Sequence, residues 1–193
     1  RYTMKKIIIA IDSFKGCLTS AEAGKAAEKG IKSINPSCHT SVIPIADGGE
    51  GLLDVLITAT KGKYITLSAH GPLMKMAKTH YGLSGNGRTA IIEMAAISGL
   101  PLVPIEQRNP MLTTTFGTGE LIKDALNKGC RNFIIGIGGS ATNDAGLGML
   151  QALGFRFLDK SGHTLGTGGQ IMEAVANIDT SGIHPALRET HFM

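Results

Sequence analysis

The chain has 193 residues, 42% of them hydrophobic and 18% charged, a balance that allows a globular protein with a sizeable core. The net charge of +4 is not gathered into lysine or arginine blocks and tryptophan is absent, so no nucleic-acid surface is indicated. No apolar stretch is long enough to span a bilayer, which argues against a membrane protein. Three cysteines without metal-ligand spacing predict free thiols in a reducing compartment, the cytoplasm.

The chain begins with alternating strand and helix patterns. Residues 5–11 form a short, Ile-rich run that is typical of a buried strand. A capping-box pattern at Thr19 and Glu22 predicts a helix that ends before Pro36. Another strand is predicted at 41–46, and a helix follows from Leu52. This β-α-β-α order predicts a parallel sheet with right-handed crossovers.

Beyond Gly62 the pattern changes to short strands, predicted at 64–69, 78–83 and 89–94, with a hairpin turn at 84–87. Two prolines indicate an extended segment at 100–105, and Arg108-Asn109-Pro110 is interpreted as a loop. A helix is predicted at 118–128, and an apolar strand at 133–137 runs into a glycine-rich turn and another helix. We therefore predict an α/β fold with two domains, residues 1–69 and 70–193.

Three polar turns follow predicted strands, where ligands bind in open α/β sheets. The first turn contains Asp12, Ser13 and Lys15, and the second contains Asp47, Gly48, Gly49 and Glu50. The third turn contains Gly138, Gly139, Ser140, Thr142, Asn143 and Asp144. Glycines before a helix let backbone N–H groups approach an anion, so the third turn is a candidate phosphate cradle.

The residue types in these turns suit phosphoryl transfer, which needs a cation, a base, a metal ligand and an anion cradle. Lys15 could neutralise a phosphate. Asp47, Glu50 or Asp144 could hold Mg²⁺ or accept a hydroxyl proton. Each turn also has a structural explanation, since Asp47-Gly48-Gly49 is a common turn composition and Asp144 could cap a helix.

A second interpretation treats residues 136–141 as the G-x-G-x-x-A fingerprint of a dinucleotide-binding oxidoreductase, with Asp159 as the acid that binds the ribose. The polar Thr142-Asn143-Asp144 segment argues against this interpretation, because an acid at that position would repel a pyrophosphate. A non-catalytic anion-binding module is a third possibility.

Five motifs together resemble the bacterial glycerate kinase family, and their order and spacing match over residues 5–187. They are Ile-Asp-Ser-Phe-Lys at 11–15, Ile-Ala-Asp-Gly-Gly-Glu-Gly at 45–51, Ile-Glu-Met-Ala-Ala at 92–96, Phe-Gly-Thr-Gly-Glu-Leu-Ile at 116–122, and Gly-Ile-Gly-Gly-Ser-Ala-Thr-Asn-Asp at 136–144. The chain departs from the family at Ile11, where proline is usual, and it lacks the family's later motifs.

The resemblance implies phosphorylation of a hydroxyl of D-glycerate by ATP and Mg²⁺. It also implies a Rossmann-like domain that starts at 1–69, with a second α/β domain inserted at 70–193. Asp47, Lys15 and Asp144 become the candidate catalytic residues, and the other named turn residues become candidates for binding substrate or phosphate. Family members are longer than this chain, so we expect a fragment that is inactive alone. The product, 2- or 3-phosphoglycerate, and the oligomeric state stay open.

Overall fold

The computed structural model describes residues 5–14 and 17–193. Lys15, one of the predicted site residues, lies outside the described residues. The helices are α1 (Ser20–Ile34), α2 (Leu52–Thr60), α3 (Ala95–Ser98), α4 (Phe116–Asn127) and α5 (Leu147–Ala152). The strands are β1 (Lys6–Ile9), β2 (His39–Val42), β3 (Lys63–His70), β4 (Met76–Leu83), β5 (Thr89–Glu93), β6 (Asn132–Gly136), β7 (Arg156–Leu158), β8 (Asn177–Asp179) and β9 (His191–Phe192).

The β-α-β-α start is confirmed. Strands β1 and β2 pair in parallel, and α1 makes the crossover between them. The predicted capping box is present at the start of α1, where the Thr19 side chain accepts from the Glu22 N–H and Glu22 accepts from the Thr19 N–H. These bonds satisfy backbone donors that a helix start leaves unpaired, which fixes where α1 begins.

A five-stranded sheet in the order β3-β4-β5-β6-β9 forms the larger part of the molecule. Strand β4 pairs with β3 on one side and with β5 on the other, both in antiparallel orientation, and the predicted hairpin turn joins β4 to β5. Strands β5, β6 and β9 run parallel. Because β3, β5 and β6 point the same way, their carboxyl ends lie on one edge of the sheet.

Strand β5 is buried on both faces, which explains its continuous apolar run. Ala90 and Ile92 belong to the main core, which also contains residues of α4 such as Leu121. Ile91 faces the opposite side and packs with Leu53 of α2. Successive side chains of a strand alternate between faces, so α2 and α4 cover opposite sides of the sheet. This packing fixes α2 beside the carboxyl end of β5.

Some expectations need correction. The segment 100–105 is not extended, because Leu100–Leu102 and Ile105–Gln107 form 3-10 turns, a geometry that the fixed φ of proline permits. The chain passes from the two-stranded sheet of β1 and β2 to the five-stranded sheet between Thr60 and Lys63, since all of β3 belongs to the five-stranded sheet. The division of the chain into domains near residue 70 stays a prediction. Within the described residues, no helix has the length and apolar character needed to cross a membrane.

Candidate active site

The first polar turn follows β1. The carboxylate of Asp12 accepts the N–H of Ser13 at 2.7 Å, a local bond of the kind that stabilises turns. The Ser13 hydroxyl oxygen is buried and has no hydrogen-bond partner among the described residues. Since buried polar groups are nearly always paired, Ser13 is a candidate for contact with a ligand.

The second polar turn follows β2. Asp47 is exposed, and its Oδ1 accepts the N–H of Gly49 at 3.2 Å. Gly48 has a φ of +89°, a left-handed conformation that favours glycine. The turn therefore presents the Asp47 carboxylate at the surface on a tightly folded backbone.

The second and third turns lie directly against each other. The N–H of Gly138 donates to the carbonyl oxygen of Gly48 at 3.2 Å. A Cβ added to Gly136 would lie 2.5 Å from the same carbonyl oxygen, and one added to Gly138 would lie 2.7 Å from the Cα of Gly49. Only glycine allows this approach, so the glycines of 136–138 hold the Asp47 turn at the end of β6.

The prediction that the third turn opens a helix, which the phosphate cradle required, is wrong: the turn is a loop. Helix α5 begins only at Leu147, because Ala145 and Gly146 have φ values of +50° and +75°. The loop is ordered by its own side chains: the Ser140 and Thr142 hydroxyls are 2.7 Å apart, and the Thr142 N–H donates to Ser140 at 3.0 Å. Its donors are therefore hydroxyls and loop N–H groups, with no helix start behind them.

Asp144 lies inside the protein. It is 1% exposed, and its carboxylate accepts the N–H groups of Thr115 at 2.8 Å and Gly148 at 3.1 Å. The Thr115 hydroxyl also donates to it, at 2.9 Å. A carboxylate that several donors occupy in this way is suited to joining α4 to α5, and it is poorly placed to accept a substrate proton. A catalytic role for Asp144 stays a prediction that this environment argues against.

A cavity of about 470 Å³ adjoins the first two turns and is lined by Ser13, Glu50 and Glu93, among others. Glu93 ends β5, and its Oε1 accepts the N–H of Leu53 at 2.7 Å, so it caps α2 from another element. Burial raises the pKa of Glu93, although hydrogen bonds from the backbone of Leu53 and Gly51 oppose that shift. We had not predicted Glu93 as a site residue, although a carboxylate that ends an apolar strand was a usable signal.

Comparisons with known proteins identify the family of the chain. The model of the glycerate kinase family matches residues 7–193. The chain is 54% identical over 183 residues to the glycerate kinase of Bacillus subtilis (strain 168), and 49% identical over 184 residues to the glycerate 2-kinase of Escherichia coli (strain K12). Each match covers 95% of this chain and 48% of the relative. The chain belongs to the glycerate kinase family.

A solved structure supports the fold. It is a protein assigned as glycerate kinase 2 in Salmonella typhimurium LT2, which is 47% identical and superposes with a TM-score of 0.83 over 98% of this chain and 51% of that one. The chain spans about half the length of the curated relatives it matches. The α/β fold and the family resemblance are thereby confirmed.

The dinucleotide interpretation does not fit this member of the glycerate kinase family. In a dinucleotide fold the ribose-binding acid ends a parallel strand beside the glycine-rich turn. Here β7, which precedes Asp159, pairs with β8 in antiparallel orientation, in a two-stranded sheet separate from the five-stranded sheet that contains β6. Asp159 accepts the N–H groups of Ser161 and His163 within its own turn, and the His163 backbone bond is the largest cause that lowers its pKa. Asp159 therefore stabilises a hairpin.

The carboxylates suggested for a metal differ in their accessibility. No group of three or more His, Cys, Asp or Glu side chains that could hold a metal ion exists in the part of the chain that the structure describes. Asp47 and Glu50 are exposed in one turn, whereas Asp144 is buried. Mg²⁺ is usually bound through one or two carboxylates plus the phosphates of the substrate. The Asp47 turn fits that requirement, and Asp144 does not.

Proposed function

We propose that this chain supplies the strand-end turns of an enzyme that transfers the γ-phosphoryl group of ATP to a hydroxyl of D-glycerate. The observation that carries the proposal is the contact between the Asp47 turn and the glycines at 136–138. It brings an accessible carboxylate beside a loop that is rich in hydroxyl and N–H donors, the two parts that phosphoryl transfer needs near each other.

In the proposed reaction, the hydroxyl oxygen of glycerate forms a bond to the γ-phosphorus while the bond from that phosphorus to the bridging oxygen of ADP breaks. The hydroxyl proton goes to the carboxylate of Asp47. One hydroxyl of the Ser140–Thr142 pair is left to donate to an anionic oxygen of the substrates, since the two are hydrogen-bonded to each other. The N–H groups of Gly139, Ser140 and Asn143 lie beside it, whereas those of Gly138, Ala141 and Thr142 donate within the protein. Lys15 is assigned to charge neutralisation from the sequence alone.

Mg²⁺, where bound, would be held by Asp47 or Glu50 together with nucleotide phosphates, and it would neutralise charge on the phosphoryl group. Asp12, Gly48, Gly49, Gly138, Gly139 and Asn143 complete the proposed set of residues that shape the site or contact substrate. The free Cys17, Cys38 and Cys130 support a reducing compartment, and we propose the cytoplasm.

The test is an assay of the full-length protein for ADP formation that depends on D-glycerate, with ³¹P NMR of the product. We expect one phosphoglycerate isomer to accumulate, and its spectrum distinguishes the 2-phosphate from the 3-phosphate. The 193-residue chain, assayed alongside, is expected to be inactive. Binding of ATP or D-glycerate to the full-length protein without turnover would refute the proposal and favour a non-catalytic anion-binding module.

A further inference from the structure

A second cavity, of about 240 Å³, is lined in part by the 138–143 loop. Its lining includes Arg108 and Asn109 from one segment and Ser140 and Thr142 from the other. No acidic side chain lines it, in contrast to the larger cavity, which is lined by Glu50, Asp54 and Glu93. The two cavities therefore carry opposite charge, and an anion is favoured in the smaller one.

The walls of this cavity are fixed by the backbone. The N–H of Leu100 donates to the carbonyl of Gly139 at 3.0 Å, and the N–H of Ala141 donates to the carbonyl of Ser98 at 2.9 Å. The Thr113 hydroxyl donates to the carbonyl of Ala141 at 2.7 Å. These bonds hold the loop in place on both sides, so the cavity is preformed, as small-molecule sites usually are.

Arg108 is positioned but not neutralised. Its Nε donates to the carbonyl oxygen of Val103 at 3.2 Å, which orients the side chain. Its two terminal nitrogens make no hydrogen bond or ion pair with any residue in 5–14 or 17–193. A guanidinium that is tethered through Nε presents a planar pair of donors, which matches the two oxygens of a carboxylate.

We propose that Arg108, with the hydroxyls of Ser140 and Thr142, forms the subsite for the carboxylate of the acceptor acid; this rests on the proposed function. The volume is below the roughly 300–1,000 Å³ that accommodates drug-sized ligands, and it suits a small acid better than a nucleotide. Ser140 lies two residues after Gly138, at most about 7 Å along the chain. An acid bound here therefore lies close to the Asp47 turn, which contacts Gly138.

The test compares Arg108→Gln with the full-length wild-type protein by calorimetry, using D-glycerate, ATP and inorganic phosphate as separate probes. We expect the affinity for D-glycerate to fall about 10- to 100-fold, the range for losing a hydrogen bond to a charged group. The affinity for ATP should stay unchanged. Arg108→Lys should recover part of the loss, because it keeps the charge but not the planar pair of donors.

Arg88→Gln is the matched control. Arg88, like Arg108, is exposed; it lies in the β4–β5 hairpin, and its side chain makes no hydrogen bond to a described residue. The Arg88→Gln variant should bind D-glycerate, ATP and inorganic phosphate as the wild type does. Melting curves of each variant verify that it folds.

The outcomes separate the subsite from the proposed function. A loss of D-glycerate affinity in Arg108→Gln supports the subsite even if the protein shows no kinase activity. Unchanged D-glycerate affinity overturns it, even in an active kinase. A loss confined to ATP or phosphate also overturns it, because the oxyanion would then belong to the nucleotide. Wild-type protein that does not bind D-glycerate overturns it too.

Discussion

The substitution Gly138→Ala tests the contact on which the site depends. The new Cβ would lie 2.7 Å from the Cα of Gly49, where real Cβ contacts are essentially never under 3.0 Å. The neighbour is backbone and cannot rotate away. Gly138 does not have a positive φ, so the substitution adds no backbone strain of its own, and the effect measured is that of the contact.

Overpacking of this kind typically costs about 1–3 kcal/mol. The relatives that the chain matches are about twice its length, and for a protein of that size each kcal/mol corresponds to about 1–2 °C in the melting temperature. We therefore expect Tm of the full-length protein to fall by about 1–6 °C. The Asp47 turn must also move away from the loop, and displacements near 1 Å can cost on the order of 100-fold in rate, so kcat/KM should fall by at least about tenfold.

The assay measures Tm and glycerate-dependent ADP formation in the full-length protein. Gly166→Ala is the control, because its Cβ would meet nothing within 4 Å and its φ is not positive. If Gly138→Ala matches Gly166→Ala in both Tm and kcat/KM, the two turns are not in the contact described here and the reasoning fails.

Three further substitutions probe the elements around the site. Asp144→Ala leaves the buried N–H groups of Thr115 and Gly148 unpaired and should lower the free energy of unfolding by at least about 1–3 kcal/mol. Asn143→Ala, a substitution at the exposed neighbour, should change that free energy little, and equal effects of the two substitutions in denaturant melts would contradict the buried role of Asp144. Burial raises the pKa of Glu93 above 4.5, so at pH values between 4.5 and that raised pKa the folded state keeps a proton that the unfolded state has released. The stability of the wild type should therefore decline as pH rises through this interval. Glu93→Gln should lack this decline, and identical pH profiles of the two proteins would refute the prediction. Thr19→Ala removes the cap of α1 and should cost about 1 kcal/mol by the same melts, an expectation that an unchanged midpoint would overturn.

Local signals in the sequence predicted much of the fold. Three signals that depend on neighbours within a few residues were confirmed. They are the capping box at Thr19, the short strands after Gly62 and the glycine-rich hairpin turn between two of those strands. Signals that depend on distant packing were weaker. Ile34, the apolar last residue of α1, is 88% exposed, and β9 has only two residues, too few to show a periodic pattern.

The site was predictable in its parts but not in its arrangement. Strand ends followed by glycines and carboxylates pointed to the turns at 12–13, 47–50 and 136–144. The contact between Gly48 and Gly138 could not be predicted, because it joins residues that are remote in sequence. Asp144 and Asp47 each lie in a glycine-rich or polar turn of the sequence, and only their burial distinguishes them. Asp144 is buried and joins two helices, whereas Asp47 is accessible.

The most direct test of the account is the turnover number of Asp47→Asn in the full-length protein, measured with saturating ATP and D-glycerate beside a calorimetric ATP affinity. We expect kcat to fall by roughly 10²- to 10⁴-fold while ATP affinity is retained, because a general base acts mainly in the transition state. A variant that turns over at the wild-type rate would contradict the assignment of Asp47 and, with it, the central place of its turn.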